Sequence, residues 1–434
     1  MKRFFLIFTC LILVSCVLLT ACGDKNKGNK TDDSTGNKET TAQTTGGNKD
    51  TDAATDGDTK DEDTTNGEID GESSAESETE DDTTDAETDA KEENKEDKDE
   101  EDKGQSDDDF VPPRFTNPLT GLPTLYDITK KRPVSIIVNN IGVSLPQEGI
   151  SQADVLYECL AEGGITRLMM ITTYYDEFKK VGSIRSARDY FIDYSDGYNA
   201  IFVHAGGSPY AYDTIANRWV NNIDAVNGDA AFHYTFGTFE RDPERMQKFA
   251  LEHTLVLKSG QGLVNAIAYM GYNIEKAAGY EEPFKFADFR HPTVLDNEAT
   301  HAKVVMSNYQ TVDFVYDEEI GKYRRYQYNG QPHIDGSTGE QLSFKNVILI
   351  FTSTYAIPCD DKARIDVGTT GTGSGWFMTD GTYQRITWRK DSATSILRFY
   401  YEDGTEVELN RGKTMINVVP SYNEYYVTFD NNWN

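Results

Sequence analysis

The hydrophobic residues of the 434-residue chain fall into three unequal stretches. An uncharged apolar run extends from Phe4 to Leu19, and residues 23–110 then contain Ile69 as their one aliphatic residue larger than alanine. After residue 110, apolar residues return in short runs separated by Gly, Asn and Asp. A segment without apolar residues cannot offset the entropy lost on ordering. We therefore predict a disordered acidic linker over residues 22–110 and a folded part over residues 111–434.

The first half of the folded part alternates strand-like and helix-like runs. Residues 134–140 are rich in β-branched side chains, and residues 154–160 and 165–175 form two further apolar runs on either side of a Gly-Gly turn. These patterns predict neighbouring strands. A short helix and a further strand over residues 200–208 add the layering typical of α/β folds. Residues 111–285 are therefore predicted to form an α/β (α+β) N-terminal domain with a mixed sheet and flanking helices.

Two helices in this half carry start or stop signals. Asp242 can cap free amides and Pro243 already has a first-turn dihedral angle, which predicts a helix reaching about Glu252. A second helix is predicted from Gln261 to Met270, because Gly271 is a typical C-terminal stop.

The second half has a different sequence pattern, in which strand-like runs alternate with turns rich in Gly, Asn and Asp. Residues 286–434 are therefore predicted to form a mostly β C-terminal domain. The predicted strands are residues 302–306, 312–316, 323–328, 347–352, 375–378, 384–389, 395–401 and 415–419.

The formal charge of −31 is unevenly distributed along the chain. Residues 22–110 carry 33 acidic and 10 basic side chains, whereas residues 111–434 carry 40 acidic and 30 basic ones. Nucleic-acid binding through a basic surface needs an excess of Lys and Arg, which neither segment has. We therefore predict no nucleic-acid partner.

The N-terminus predicts the location of the protein. Lys2 and Arg3 precede the apolar run, which is short for a bilayer span and typical of a secretory signal. Its end, Leu19-Thr20-Ala21-Cys22, resembles the bacterial lipobox, which implies a signal peptide of residues 1–21 and acylation of Cys22, for example with palmitate. Two acyl chains give stable anchoring. The prediction is an extracytoplasmic protein held at the cell membrane by the lipid on Cys22, with an uncleaved anchor helix as the alternative.

The acidic linker would then act as a spacer. As a flexible chain, residues 23–110 span roughly 50 Å by square-root scaling, and repulsion between like charges extends them further. A solvated insert without a partner is the alternative. Of the remaining cysteines, Cys159 and Cys359 lie in apolar surroundings, and we predict both to be buried small hydrophobic residues.

The folded part resembles the YerB-type lipoproteins over essentially all of residues 115–420. The resemblance implies two conjoined domains and brings no established activity. It is carried by Asn117-Pro118-Leu119-Thr120-Gly121, Ala153-Asp154-Val155-Leu156-Tyr157-Glu158, Glu162-Gly163-Gly164-Ile165-Thr166-Arg167, Arg185-Ser186-Ala187-Arg188, His204-Ala205-Gly206-Gly207-Ser208 and Leu409-Asn410-Arg411-Gly412-Lys413-Thr414.

Charged and glycine residues near predicted strand ends form the candidate site. Guanidinium groups facing one cavity suit a phosphate or a carboxylate, and a Gly-Gly turn lets backbone amides approach a ligand closely. Arg185 and Arg188 share a face if the chain is helical there. We predict a pocket for an anionic ligand, a phosphate or a pyrophosphate, formed by Arg167, Arg185, Arg188, Asp189, His204, Gly206, Gly207 and Glu158, with Glu162 as a further candidate. The alternative is a structural network in which each arginine pairs with Glu158, Asp189 or Asp193.

The order of the residues from Thr166 to Gly207 is also similar to the core of the LytR-CpsA-Psr proteins. That family transfers wall glycopolymers from polyprenyl pyrophosphate, which its arginines bind, so the resemblance implies a pyrophosphate ligand. Met169 stands where that family has an acidic metal ligand, which puts magnesium binding and transferase chemistry in doubt.

Other chemistry has less support. No two of the six histidines lie two to five residues apart, so no local zinc motif, metal or cofactor is predicted, although distant loops could assemble a metal site. Four aromatic residues of the second half could form a sugar-stacking platform, namely Trp376, Trp388, Tyr383 and Phe377. Aromatic residues on half-buried strands are more often part of the core.

The sequence thus predicts a binding or regulatory lipoprotein of the cell envelope that acts on a cell-wall precursor or a wall-synthesis protein. The alternative is an envelope enzyme, either a glycopolymer phosphotransferase or a hydrolase. In a hydrolase, His204 would be the base, and the amides of Gly206 and Gly207 would stabilise an oxyanion.

Overall fold

The structure, a computed structural model, describes residues 111–433, which belong to one compact unit. The predicted signal peptide, Cys22 and the acidic linker lie outside the described residues. Among residues 111–433, none of the helices has both the length and the apolar character needed to cross a membrane.

Nine strands and five α-helices make up the described part of residues 111–286. The strands are β1 (Val134–Asn139), β2 (Val155–Leu160), β3 (Thr166–Thr172), β4 (Val181–Gly182), β5 (Ile201–His204), β6 (Asn222–Asp224), β7 (Phe239–Arg241), β8 (Leu255–Leu257) and β9 (Lys285–Phe286). The helices are α1 (Asp189–Asp196), α2 (Pro209–Arg218), α3 (Ala231–Tyr234), α4 (Pro243–Met246) and α5 (Gly260–Tyr269).

The described residues after 286 form strands joined by turns. The strands are β10 (Asn297–Glu298), β11 (His301–Val305), β12 (Thr311–Asp317), β13 (Lys322–Gln327), β14 (Gln331–Pro332), β15 (Ser343–Phe344), β16 (Asn346–Thr352), β17 (Thr354–Ala356), β18 (Ile365–Val367), β19 (Gly371–Thr379), β20 (Thr382–Lys390), β21 (Arg398–Tyr400), β22 (Glu408–Leu409), β23 (Thr414–Pro420) and β24 (Thr428–Asp430). Each of the eight strands predicted for this half overlaps an observed strand. The predicted fold class is confirmed: a mixed sheet with helices in the first half and a mostly β second half.

Of the two predicted helices, one is confirmed and one is shorter than expected. Helix α5 begins one residue early, with Ser259 as its cap, and ends next to Gly271. Helix α4 ends at Met246, so the predicted extension to Glu252 is wrong. The reason is tertiary: the guanidinium of Arg245 donates to the carbonyl oxygens of His253, Pro146 and Ser144, which turns the chain back on itself.

A single sheet of eleven strands runs through both halves of the chain. Its order is β10-β20-β19-β16-β23-β2-β3-β1-β5-β6, with β21 beside β20. The halves meet where β2 pairs in parallel with β23, from Val155 opposite Thr414 to Cys159 opposite Val418. The predicted boundary near residue 285 separates the half with helices from the half with strands, but the sheet continues across both.

Seven strands of this sheet point in the same direction, and β20 is among them because it pairs antiparallel with β19, which pairs antiparallel with β16. Strands β1, β5 and β6 are parallel to one another, as are β2, β23 and β16, and β3 lies antiparallel between β2 and β1. Their carboxyl ends therefore lie along one edge of the sheet, which we call the carboxyl edge. The opposite edge, where these strands begin, is the amino edge.

Alternate residues of β2 enter two different hydrophobic cores, as the pleat of a strand requires. Tyr157 and Cys159 pack with α1 on one face of the sheet. Leu156 and Leu160 pack on the other face, which is covered by α5 and by a second sheet of order β14-β13-β12-β11-β24 with β15 beside β13. Cys159 is buried as predicted. The prediction is wrong for Cys359, which is exposed because it lies in the turn between β17 and β18.

The side chain of Glu158 points between the two sheets and is fully buried. Its Oε2 lies 2.6 Å from Nη2 of Arg325 on β13, and both side chains are 0 % exposed. Four further donors complete the coordination of the carboxylate: the amides of Asn140, Gln310 and Asn417 and the hydroxyl of Thr166. A buried charge is tolerated when it is paired and hydrogen-bonded, and here the donors to the carboxylate come from both halves of the chain.

Arg325 is in turn held by polar groups on its other side. Its Nη1 donates to Gln327 Oε1 and to His333 Nδ1, and His333 Nε2 lies 2.8 Å from Gln147 Oε1. Burial, and then the charge of Arg325, lowers the pKa of His333 well below its usual range. A neutral imidazole can accept one of these bonds and donate the other, so His333 extends the network without adding a second buried charge.

We expect Glu158→Gln to lower the free energy of unfolding by about 3 to 5 kcal/mol, because it leaves Arg325 as a buried charge without a counter-ion. The double variant Glu158→Gln/Arg325→Met should recover part of this loss. Arg324 is next to Arg325 on β13, and its partly exposed side chain pairs with Asp317 on β12, so Arg324→Ala should cost less than about 1 kcal/mol. Urea denaturation measures all three, and a loss below about 1 kcal/mol for Glu158→Gln would contradict the role of this pair.

Candidate functional site

The carboxyl edge of the sheet brings most of the predicted site residues together. In open α/β sheets, ligands bind in the crevice outside the carboxyl ends of the strands. Glu162 follows β2 at this edge, Arg167 begins β3 there, and Arg185 and Arg188 lie just before α1. We call these four residues the arginine cluster.

One carboxylate serves two guanidinium groups in the arginine cluster. Glu162 Oε1 lies 2.6 Å from Nη2 of Arg167 and 2.6 Å from Nη2 of Arg188. Arg188 also donates from Nε to Glu162 Oε2 at 3.1 Å, so its fork is bidentate. Other donors are used by backbone carbonyls, since Arg167 Nη1 bonds to the oxygen of Ser186 and Arg188 Nη1 to that of Ala187.

These contacts change the acid strengths of the groups. Burial alone would raise the pKa of Glu162, but the positive charges of Arg167 and Arg188 outweigh it and lower that pKa to about 2. Burial, and then the neighbouring Arg188, lowers the pKa of the Arg167 guanidinium to about 10. Arg167 is therefore cationic at neutral pH, and one carboxylate faces two guanidinium groups.

Arg185 differs from the other two arginines. Its Nη1 donates to the backbone oxygen of Glu252 at 2.7 Å, and its Nε is buried without a hydrogen-bond partner. Burial lowers its pKa, and the charge of Glu162 partly offsets this. Arg185 thus adds a third positive charge that no side-chain carboxylate neutralises through a hydrogen bond.

The expectation that Arg185 and Arg188 share a helix face is wrong. Residues 183–188 are extended, and α1 begins only at Asp189. The reason is that the backbone bonds to neighbours on both sides: the amide of Arg185 donates to Ile137, and that of Ala187 donates to Gly206.

The glycine turn after β5 is occupied by bonds within the protein. Gly206 has a φ of +71°, which favours glycine, and its amide donates to Asp224 Oδ1 at 2.8 Å. His204 is fully buried, with Nδ1 2.8 Å from the oxygen of Gly206 and Nε2 3.1 Å from Asn222 Oδ1. Both ring nitrogens are thus engaged, which supports a positioning role for His204. Gly207 lies beside Ala187 and bridges this turn to the arginine segment.

The acidic residues named with the arginines have other partners. Glu158 binds Arg325 in the buried network, and Asp193 binds Arg218 and Thr369. Asp189 is partly buried at the start of α1, where burial raises its pKa. The alternative was a network in which each arginine pairs with Glu158, Asp189 or Asp193. None of these three acids forms an ion pair with the arginines of the cluster, and Glu162 pairs with Arg167 and Arg188 instead.

The second half of the chain contributes a residue that local sequence reasoning missed. The hairpin of β17 and β18 carries Arg364, which forms an ion pair with Asp360 at 2.8 Å. The hydrogen bond to Asp360 raises the pKa of Arg364, and the charge of Glu162 adds to this effect. Arg364 therefore lies within electrostatic range of the arginine cluster, although it follows Arg188 by more than 170 residues and no local pattern links them.

The chain offers little for a metal at this edge. Met169, at the position where the LytR-CpsA-Psr proteins have an acid, is fully buried in β3. Within residues 111–433, no group of three or more His, Cys, Asp or Glu side chains is arranged to hold a metal ion. The two tryptophans considered as a sugar platform pack inward: Trp388 is 4 % exposed, and Trp376 packs against Tyr383 and Phe429.

Comparisons with known proteins agree with the fold. A family model described as "Protein of unknown function (DUF3048) N-terminal domain" matches residues 119–270, and the corresponding C-terminal domain model matches residues 302–416. The Bacillus subtilis (strain 168) protein named "Putative lipoprotein YerB" is 28 % identical over 314 residues, which are 70 % of this chain and 86 % of that protein. The crystal structure of the YerB protein from Bacillus subtilis covers 73 % of this chain and 99 % of its own, with 27 % identity and a TM-score of 0.61.

The depressed pKa of Glu162 predicts a pH-dependent contribution to stability. A carboxylate whose pKa falls from 4.5 to about 2 on folding stabilises the protein fully above pH 4.5, and this contribution is lost as the pH falls toward 2. Glu162→Gln should therefore lower the free energy of unfolding by about 1 to 3 kcal/mol at pH 7. The difference from wild type should shrink between pH 4.5 and pH 2.

Thermal denaturation at pH 7, 4 and about 3 measures this change. Glu402→Gln is a suitable control, because Glu402 is exposed and lies in the second half of the chain, outside the arginine cluster. A Glu162→Gln effect that stays constant over this pH range would argue against the ion pairs.

Proposed function

The chain belongs to the DUF3048 family, and we propose that it is a lipid-anchored binding protein of the bacterial cell envelope that holds a phosphate-bearing ligand at the arginine cluster. The observation that carries this proposal is the charge imbalance at the carboxyl edge. Three guanidinium groups, those of Arg167, Arg185 and Arg188, lie around the single carboxylate of Glu162.

The size of the imbalance favours a phosphate over a carboxylate. The three guanidinium groups face the carboxylate of Glu162, and the carboxylate of Glu252 acts on Arg185 through space, so positive charge remains in excess. A phosphate monoester group carries about −1.5 to −2 at pH 7, which is more negative charge than a carboxylate brings. The guanidinium fork also matches the spacing of two phosphate oxygens, so that an incoming phosphate can replace Glu162 on the bidentate edge of Arg188.

The location limits which phosphates are available. The lipobox-like segment ending in Cys22 supports acylation, and the related Bacillus subtilis protein carries "lipoprotein" in its name. The folded part would be tethered to the outer face of the cell membrane by a linker that spans roughly 50 Å. At this distance it stays within reach of lipid-linked precursors. A polyprenyl pyrophosphate that carries a wall precursor lies in the membrane, and its pyrophosphate group supplies negative charge for the arginine cluster.

The enzyme alternative finds less support at this edge. Hydrolysis would need a free base, and both ring nitrogens of His204 are engaged. Transferase chemistry of the LytR-CpsA-Psr kind would use an acidic residue where this chain has Met169. Binding requires neither, so we infer a binding or regulatory role in wall synthesis.

Isothermal titration of residues 23–434 with farnesyl pyrophosphate tests the ligand. Arg185→Ala should weaken binding about 10- to 100-fold, because a hydrogen bond between charged groups contributes about 1.5 to 3 kcal/mol. Glu162→Gln should strengthen binding, because it removes the internal competitor for Arg188. Arg324→Ala, an arginine that pairs with Asp317 outside the cluster, is the matched control and should bind like wild type.

Titrations with inorganic pyrophosphate and with farnesol distinguish binding of the pyrophosphate group from binding of the isoprenoid chain of farnesyl pyrophosphate. The proposal predicts heat with inorganic pyrophosphate and none with farnesol. Absence of heat with both phosphate probes, or equal affinity in Arg185→Ala and wild type, would overturn it.

The anchor can be tested independently of the ligand. Cys22→Ser should move the protein from the membrane fraction to the soluble fraction of cells and abolish incorporation of radiolabelled palmitate. Cys359→Ser, an exposed cysteine in the folded part, serves as the control and should leave both unchanged. Membrane association that survives Cys22→Ser would rule out anchoring by lipid on this residue.

A further inference from the structure

A cleft of about 780 Å³ opens beside the amino ends of β5 and β6, and none of the residues of the arginine cluster lines it. Asn199 and Asn221, which precede β5 and β6, line it from the first half of the chain. The segment from Arg389 to Arg398 lines it from the second half. Its volume lies in the usual range for small-molecule sites, about 300 to 1,000 Å³.

The floor of the cleft is held rigidly by one arginine. Arg132 Nε donates to the oxygen of Asn199 at 2.5 Å, and its Nη1 donates to Asn221 Oδ1 at 2.7 Å. Further bonds reach the carbonyl oxygens of Ala200 and Asn273. Arg132 therefore positions the residues that line the cleft, and its guanidinium donors are used within the protein.

Trp219 stands at the cleft in an unusual conformation. It caps the C-terminus of α2 with a φ of +55°, a left-handed conformation that favours glycine and is rare for a bulky side chain. Its side chain is 87 % exposed to solvent. Backbone strain and an exposed indole at the same residue both cost stability, and such outliers cluster at functional sites. The exposed indole ring of Trp219 therefore lies at the cleft.

The polar groups around Trp219 form matched pairs of donors and acceptors. Arg389 lies 2.6 Å from Asp391, and Arg398 lies 2.8 Å from Glu281. Each pair leaves guanidinium donors next to carboxylate acceptors, so that a hydroxyl group can both donate and accept there. Four arginines and three carboxylates line the cleft, so it lacks the strong excess of one sign that would select a charged ligand.

We propose that this cleft binds a neutral oligosaccharide, with one sugar ring stacked on Trp219 and its hydroxyl groups bound by the Arg389–Asp391 and Arg398–Glu281 pairs. A sugar has apolar C–H faces for an aromatic ring and hydroxyl groups that donate and accept around its rim. A protein partner would be favoured by an apolar centre, whereas here ion-paired side chains line the same cleft as the aromatic side chain. The site is separate from the arginine cluster, so that either proposal can fail alone.

Calorimetric titration with chitotetraose and with cellotetraose tests the proposal. We expect saturable binding of at least one of them, and a decrease of about tenfold or more in the affinity of Trp219→Ala, as stacking on an aromatic ring would give. Arg389→Ala should weaken binding several-fold. Tyr425→Ala, which removes another aromatic side chain that is 90 % exposed, should bind like wild type.

Trp219→Gly separates lost binding from lost folding. Glycine adopts a positive φ without strain, so this variant should melt at a temperature no lower than wild type and still fail to bind. Absence of binding to both tetrasaccharides would overturn the proposal, as would equal affinity in Trp219→Ala. Binding of tetragalacturonate alone, or a Trp219-dependent complex with a protein but with neither sugar, would overturn it as well.

Discussion

The buried carboxylate of Glu158 is the constraint on which the rest of the structure depends. A charge in a fully buried position destabilises the fold unless an opposite charge and hydrogen bonds compensate for the water that it loses. Glu158 meets this requirement only when Arg325 and Asn417 from the second half of the chain join Asn140 and Thr166 from the first half. The two halves are therefore parts of one packing unit, although two separate family models match them.

This constraint brings loops from both halves of the chain close together. Because β2 and β23 are parallel neighbours in one sheet, the loops that follow them lie at the same edge. The first half supplies the arginine cluster at that edge, and the second half supplies the hairpin with Arg364. The cleft beside Trp219 is lined by both halves. The proposed sugar site thus needs both halves of the chain, whereas the four residues of the arginine cluster all belong to the first half.

Local patterns predicted much of the fold and part of the site. The strands and helix α5 follow from runs of apolar residues with clear stop signals, and Glu162 lies only five residues from Arg167. Helix α4 could not be predicted, because its end depends on bonds from Arg245 to distant carbonyl groups.

The partner of Glu158 was also beyond local reasoning, because Arg325 follows it by 167 residues and reaches it only after the two sheets have packed. Interactions that close such long loops are determined by tertiary structure, and a single sequence carries little local signal of them. The claim that the halves form one cooperative unit is tested most directly by differential scanning calorimetry of residues 23–434. The account predicts one transition with equal calorimetric and van't Hoff enthalpies, whereas two separate transitions would contradict it.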